Sequence, residues 1–61
     1  MLQNLTERQN LNRILIIEDE HDISDFLYET LSLSGYEVTQ AYDGIEGLDK
    51  IAEFKPNLVL L

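Results

Sequence analysis

An apolar run that ends abruptly in three carboxylates is the feature that most constrains this chain. The segment Ile14-Leu15-Ile16-Ile17 contains only branched apolar residues, and Glu18-Asp19-Glu20 comes directly after it. A run this short, without polar alternation, predicts a β-strand that is buried on both faces. The carboxylates then lie at the carboxyl end of the strand, which is where open α/β sheets bind their ligands.

The carboxylate triplet predicts a site for a divalent cation. Adjacent negative charges repel one another, and a bound cation relieves that repulsion. Carboxylate oxygens are hard ligands that suit Mg²⁺ or Ca²⁺. A solvated acidic loop is the commoner explanation of such a triplet taken alone, so the metal interpretation depends on the segments downstream of it.

Composition narrows the class of protein. The chain has 61 residues, which allows one domain, and it has no cysteine, which excludes disulfides and thiolate metal sites. The net charge of −8 argues against direct binding to nucleic acid or to an anionic membrane. No apolar run reaches the length of a membrane span. These features predict a soluble, cytoplasmic chain. Residues 1–12 are polar and are predicted to form a flexible leader.

The segment after the carboxylates predicts a helix over residues 23–34. Asp22 is a suitable N-cap, and Gly35 supplies a left-handed stop. Apolar spacing predicts an inner face made of Ile23, Phe26, Leu27, Thr30 and Leu31.

A second strand and a second helix come next in the chain. Glu37-Val38-Thr39-Gln40-Ala41 alternates polar and apolar residues, which indicates a short strand. Asp43 predicts the cap of a helix that must end before Pro56. Gly47 lies in the middle of this helix and costs about 1 kcal/mol relative to alanine, so Gly47→Ala is predicted to stabilise it. The predicted inner face consists of Ile45, Leu48, Ile51 and Ala52.

The last segment, Leu58-Val59-Leu60-Leu61, has the pattern of a second fully buried strand. The order is therefore strand, helix, strand, helix, strand. Helical connections between strands favour a parallel α/β sheet with right-handed crossovers.

In this order and at this spacing, the segments resemble a response-regulator receiver domain, the phosphoacceptor module of two-component signalling. The similarity covers Arg13 to Leu61. It depends on the first strand with its acidic end, on Gly35-Tyr36-Glu37-Val38 with Ala41-Tyr42-Asp43-Gly44, and on Lys55-Pro56-Asn57 with the last strand. The resemblance implies a truncated flavodoxin-like fold in which the parallel strands take the order 2-1-3.

The resemblance also implies a chemistry. A histidine kinase would be the partner, and Mg²⁺ would lie between an acceptor aspartate and the acidic pair. Asp19 would coordinate the metal directly, and Glu18 directly or through water, whereas Glu20 would serve the helix entry. The acceptor position would come immediately after Leu61. The 61 residues are therefore expected to hold an incomplete Mg²⁺ site, to have no catalytic residue of their own and not to act as an enzyme.

Other interpretations are weaker. A dinucleotide site would need glycines after the first strand, where this chain has carboxylates that would repel phosphate. His21 among those carboxylates is more simply a solvated position than a phosphorelay histidine or a metal ligand. One alternative function stays open. The chain would then be an interaction element without phosphoryl chemistry, self-associating through the edge strand Leu58-Val59-Leu60-Leu61.

Overall fold

The structure, a computed structural model, describes residues 12–61. The predicted leader lies outside the described residues, apart from Asn12. Five elements succeed one another in the predicted order. They are β1 (Arg13–Ile17), α1 (His21–Leu33), β2 (Glu37–Ala41), α2 (Gly44–Phe54) and β3 (Leu58–Leu60).

The three strands form a parallel sheet in the order β2-β1-β3, which is the order that the receiver resemblance implies. β1 is the central strand, and its apolar residues make up most of the core. Ile14, Leu15, Ile16 and Ala41 are the buried apolar residues of the described chain. A strand of branched apolar residues is favoured here because both of its faces are covered.

The two helices lie on opposite faces of the sheet. Ile16 of β1 is the partner of Gln40 of β2, so both side chains lie on the same face of the sheet. The Gln40 side chain donates to Ser24 of α1, which places α1 on that face. Ile17 is the next residue of β1 and therefore points to the other face, where its side chain meets Gly47 of α2. Both helices pack on β1 and β2, and within residues 12–61 neither packs on β3.

The start of α1 differs from the prediction. The helix begins at His21 rather than at residue 23, and its N-cap is Glu20, whose side chain makes no cap hydrogen bond. The Ser24 N–H donates to the Glu20 carbonyl at 3.0 Å, so the first helical bond forms directly after the carboxylates. Asp22 is therefore not the cap. It lies in the first turn, where its charge favours the helix dipole.

The inner face of α1 was also predicted wrongly. Ser24 is fully buried, whereas Ile23 and Phe26 are 46 % and 68 % exposed. Leu27 and Leu31 are half-buried as predicted, but Thr30 is exposed. The helix approaches the sheet through a small residue, which rotates the larger apolar side chains toward its flanks.

The end of α1 confirms the predicted glycine stop. Gly35 has φ of 98°, in the left-handed region that favours glycine. The Tyr36 N–H donates to the Leu31 carbonyl at 3.1 Å, and the Gly35 N–H donates to the Ser32 carbonyl at 3.0 Å. These are the two bonds of a Schellman motif, which turns the chain into β2.

α2 begins and ends close to the predicted residues. Asp43 is its N-cap, and the carboxylate accepts from the Glu46 N–H at 2.8 Å. The helix ends at Phe54, and Lys55 takes a left-handed conformation before Pro56. The predicted inner face is wrong, because Ile45 and Leu48 are 79 % and 69 % exposed.

Gly47 is the residue through which α2 meets the sheet. It is buried, and a Cβ built at this position would lie 2.5 Å from Cδ1 and 3.2 Å from Cγ1 of Ile17. Contacts that short force a shift of the Ile17 side chain. The expected gain in stability from Gly47→Ala is therefore not supported, because the position serves a close approach between helix and strand.

β3 is shorter and more exposed than its pattern predicts. It ends at Leu60, and Leu61 lies outside the strand with 94 % of its surface exposed. Leu58 is 51 % exposed, because no helix among residues 12–61 covers this strand.

Candidate functional site

The carboxylates occupy the carboxyl edge of the sheet, as predicted. Glu18, Asp19 and Glu20, here called the acidic turn, connect the end of β1 to the start of α1. The Glu18 N–H donates to the Ala41 carbonyl at 3.0 Å, which attaches the turn to the end of β2. Glu18 is half-buried, whereas Asp19 and Glu20 are exposed.

One carboxylate of the acidic turn is held by the backbone. Glu18 Oε2 accepts from the Glu20 N–H at 3.0 Å, which folds this side chain back over the turn. The bond restrains the Glu18 carboxylate next to Asp19. The two predicted metal ligands are neighbours in the chain. The Glu18 carboxylate is restrained by this bond, whereas Asp19 is exposed.

Two carboxylates supply only part of an Mg²⁺ coordination shell. Magnesium binds six oxygen ligands in a near-octahedral arrangement and usually keeps several waters. Across residues 12–61, no three side chains of His, Asp or Glu gather into a metal site. The chemistry of the two donors fits Mg²⁺, and the assignment of Asp19 and Glu18 as its ligands stays a prediction.

An aromatic pair lies beside the acidic turn. The rings of His21 and Tyr42 stack with their centroids 4.0 Å apart and their planes 22° from parallel. His21 is the first residue of α1, and Tyr42 is the residue directly after β2. His21 was predicted to be a solvated position, and no role was predicted for Tyr42. A contact between residues 21 positions apart leaves no signal in the local pattern.

Tyr42 is itself anchored to the start of α2. Its backbone N–H donates to Glu46 Oε1 at 2.7 Å, while the Glu46 N–H donates to the Asp43 carboxylate. This arrangement is a variant of the capping box, in which the glutamate reaches one residue further back than usual. The stacked ring thus extends from a backbone that the first turn of α2 holds in place.

The register of β1 and β3 brings a third strand end to the same edge. Leu60 is the partner of Ile16, in parallel register with Leu58 opposite Ile14. If the register continues for two residues, Leu61 lies opposite Ile17 and the position after Leu61 lies opposite Glu18. In parallel sheets the carboxyl ends of neighbouring strands meet at one edge.

Strand order, crossovers and acidic edge define the class. This is a parallel α/β unit of the flavodoxin-like type, with carboxylates at the carboxyl end of its central strand. No protein-family profile and no solved structure matches the chain.

Curated proteins do match it. Response regulator MprA of Mycobacterium tuberculosis is 41 % identical over 49 residues, which are 80 % of this chain and 21 % of that protein. MprA of Mycobacterium avium is 41 % identical over 49 residues, 80 % of this chain and 22 % of that protein. RpaA of Synechocystis sp., named a DNA-binding dual master transcriptional regulator, is 45 % identical over 49 residues, 80 % of this chain and 20 % of that protein.

The sequence matches and the strand order together confirm the resemblance of this chain to response-regulator receivers. It spans about a fifth of the length of these relatives. The DNA binding in the name of RpaA is a property of that protein. The prediction that this segment does not contact nucleic acid remains untested. Within residues 12–61, no helix is both long enough and apolar enough to cross a membrane.

Proposed function

We propose that this chain takes part in phosphorelay signalling as the amino-terminal part of a receiver domain, whose partner is a histidine kinase. Its contribution is the acidic turn, with Asp19 and Glu18 as ligands of Mg²⁺. A bound Mg²⁺ neutralises negative charge on a phosphoryl group as that group is transferred.

The parallel register of β1 and β3 carries this proposal. An acceptor aspartate directly after Leu61 would lie level with Glu18, at the edge that the acidic turn occupies. The Glu20 N–H restrains the half-buried Glu18 carboxylate at this edge, which supports its assignment as a metal ligand. The matched response regulators support the same signalling class.

The 61 residues themselves are proposed to be a cation-binding module and not an enzyme. Asp19 and Glu18 serve as metal ligands, so neither is placed to act as a nucleophile toward phosphorus. We expect no stable acyl phosphate when the chain is incubated with Mg²⁺ and acetyl phosphate. Detection of a phosphorylated aspartate or glutamate by mass spectrometry would contradict this assignment of roles. We also propose that the chain is cytoplasmic and that it makes no direct contact with nucleic acid.

A Mg²⁺ titration of the 61-residue chain, monitored by amide chemical shifts, tests the proposed ligands. We expect weak, saturable binding, because two carboxylates supply only part of an octahedral shell. Asp19→Asn should remove most of this binding. Asp22→Asn removes the same charge from an exposed position in the first turn of α1, and it should leave most of the binding intact. Equal losses in the two variants would mean that only general acidity attracts the ion.

The exposure of β3 favours a second candidate function. Leu58 and Leu61 are 51 % and 94 % exposed, and the outer edge of β3 is unpaired within residues 12–61. An apolar edge without charged residues is a template for pairing with another strand. In this alternative the chain is an interaction element that self-associates through Leu58-Val59-Leu60-Leu61.

A further inference from the structure

The His21–Tyr42 stack links the start of α1 to the residue that follows β2, beside the acidic turn. His21 continues directly from the acidic turn into α1, and Tyr42 comes directly after β2, to which Glu18 is hydrogen-bonded through Ala41. The acidic turn is therefore tied to β2 by a backbone bond at its start and by stacked rings at its end.

The start of α1 lacks the side-chain cap that usually fixes a helix end. Glu20 occupies the N-cap position without accepting a cap hydrogen bond in its side chain. Helix ends fray when their first N–H groups lack partners. Gln40 donates to Ser24 Oγ at 2.8 Å and to Asp25 Oδ1 at 2.9 Å, which fastens the helix at its second turn. The stack with Tyr42 holds His21, the first residue of α1, which lies three positions before Ser24.

We infer that Tyr42 is a positioning residue, whose ring holds His21 and thereby keeps the acidic turn in the geometry that receives a divalent cation. This inference rests on the proposed function. Tyr42 need not touch the ion, because its effect passes through the first residue of α1 to Asp19. Its own backbone is fixed by Glu46, so the ring extends from a rigid support.

The physical reason is preorganisation. A cation that must first order a loose turn binds more weakly than one that meets ligands already in place. Residues that orient metal ligands from outside the coordination shell affect affinity for the same reason. A stacked pair of aromatic rings provides such restraint without adding another charge to the site.

Three variants of the 61-residue chain test the inference. Tyr42→Leu removes the ring and keeps an apolar side chain, whereas Tyr42→Phe keeps the ring and removes the hydroxyl. Tyr36→Leu is the matched control, because Tyr36 lies just beyond the opposite end of α1 and is 41 % exposed. Mg²⁺ affinity is measured by amide chemical shifts at one fixed pH. The ring-proton shifts of His21 report the stack.

Tyr42→Leu is expected to weaken Mg²⁺ binding by about three- to tenfold and to abolish the ring-current shift of His21. Tyr42→Phe and Tyr36→Leu should stay within about twofold of the unchanged chain. Tyr42→Leu should also speed the hydrogen exchange of the Glu20 amide relative to that of the Leu15 amide in the absence of metal.

The inference is overturned if Tyr42→Leu binds Mg²⁺ as the unchanged chain does, or if Tyr36→Leu weakens binding equally. Failure of the proposed function gives a different pattern. If the acidic turn is not the cation site, Asp19→Asn leaves Mg²⁺ binding unchanged. The hydrogen exchange of the Glu20 amide without metal still shows whether the stack orders the turn.

Discussion

At the scale of single residues, Arg13 joins three parts of the fold at the edge opposite the acidic turn. Its Nε donates to the Phe54 carbonyl at 2.9 Å, and its guanidinium lies 4.3 Å from the centroid of the Phe54 ring. Nη1 contacts the Glu37 carboxylate at 3.3 Å. The Arg13 N–H donates to Asn57 Oδ1 at 3.0 Å, and the Asn57 N–H donates to the Arg13 carbonyl at 2.7 Å.

Arg13→Lys is expected to destabilise the amino edge of the sheet by about 1–2 kcal/mol. Lysine keeps the charge, but it cannot donate in a planar fork to the Phe54 carbonyl and the Glu37 carboxylate together. The measurement is the free energy of local opening from hydrogen exchange of amides in β1.

Glu37→Gln is the control for the ion pair alone. The Glu37 side chain is 62 % exposed, so its removal should cost less than about 1 kcal/mol. If both variants cost the same, the bonds from Arg13 to Phe54 contribute nothing and the surface ion pair explains the whole effect.

At the scale of secondary-structure elements, each helix meets the sheet through a small residue. Ser24 of α1 and Gly47 of α2 are the buried residues of their helices. Large apolar side chains lie on the flanks of these contacts, as the exposure of Phe26 and Leu48 shows. Close packing between helix and strand therefore sets the orientation of both helices.

Gly47→Ala is expected to destabilise the chain by about 1–2 kcal/mol, although alanine favours the helix intrinsically. The new Cβ would lie 2.5 Å from Ile17 Cδ1, and this contact outweighs the gain in helix propensity. Ile17→Val removes Cδ1, so the double variant should recover part of the loss. Equilibrium unfolding of the single and double variants measures the coupling, with the osmolyte TMAO added because it stabilises the folded state. A Gly47→Ala variant more stable than the unchanged chain would show that Ile17 relaxes freely.

The order of the elements could be predicted from the sequence, whereas the orientation of the helices could not. The strands β1 and β2, the glycine stop at Gly35 and the Asp43 cap each depend on residues within a few positions of one another. The inner faces of the helices were predicted wrongly because the spacing of large apolar residues gives no weight to the small residues Ser24 and Gly47. The His21–Tyr42 stack escaped prediction because it depends on where β2 ends relative to α1.

At the scale of the whole molecule, the buried core is small and β3 is poorly covered. Among residues 12–61, four apolar residues are buried, all of them in β1 or at the end of β2. A core of this size in a chain of this length gives a net stability near zero. We therefore expect the isolated 61-residue chain to be a partly folded monomer or a self-associated species.

Sedimentation equilibrium combined with amide hydrogen exchange tests this expectation. Val59→Lys places a charge in the middle of β3 and should reduce self-association, because charged residues protect sheet edges. Glu53→Gln alters the net charge by the same amount at an exposed position of α2 and leaves the edge unchanged. A monomer at high concentration with strongly protected amides in β3 would refute the role of this edge.

The proposed function requires that the carboxyl ends of β1 and β3 border one cation site at the acidic turn. Paramagnetic broadening of amide signals by Mn²⁺, an ion that prefers the same oxygen ligands as Mg²⁺, measures this location directly. We predict that substoichiometric Mn²⁺ first broadens the amides of the acidic turn, together with those of Tyr42 and Leu61. The amides of Arg13 and Asn57, at the opposite edge, should stay sharp. Broadening that instead tracks exposed carboxylates such as Glu29 and Glu53, with no preference for the acidic turn, would contradict the claim.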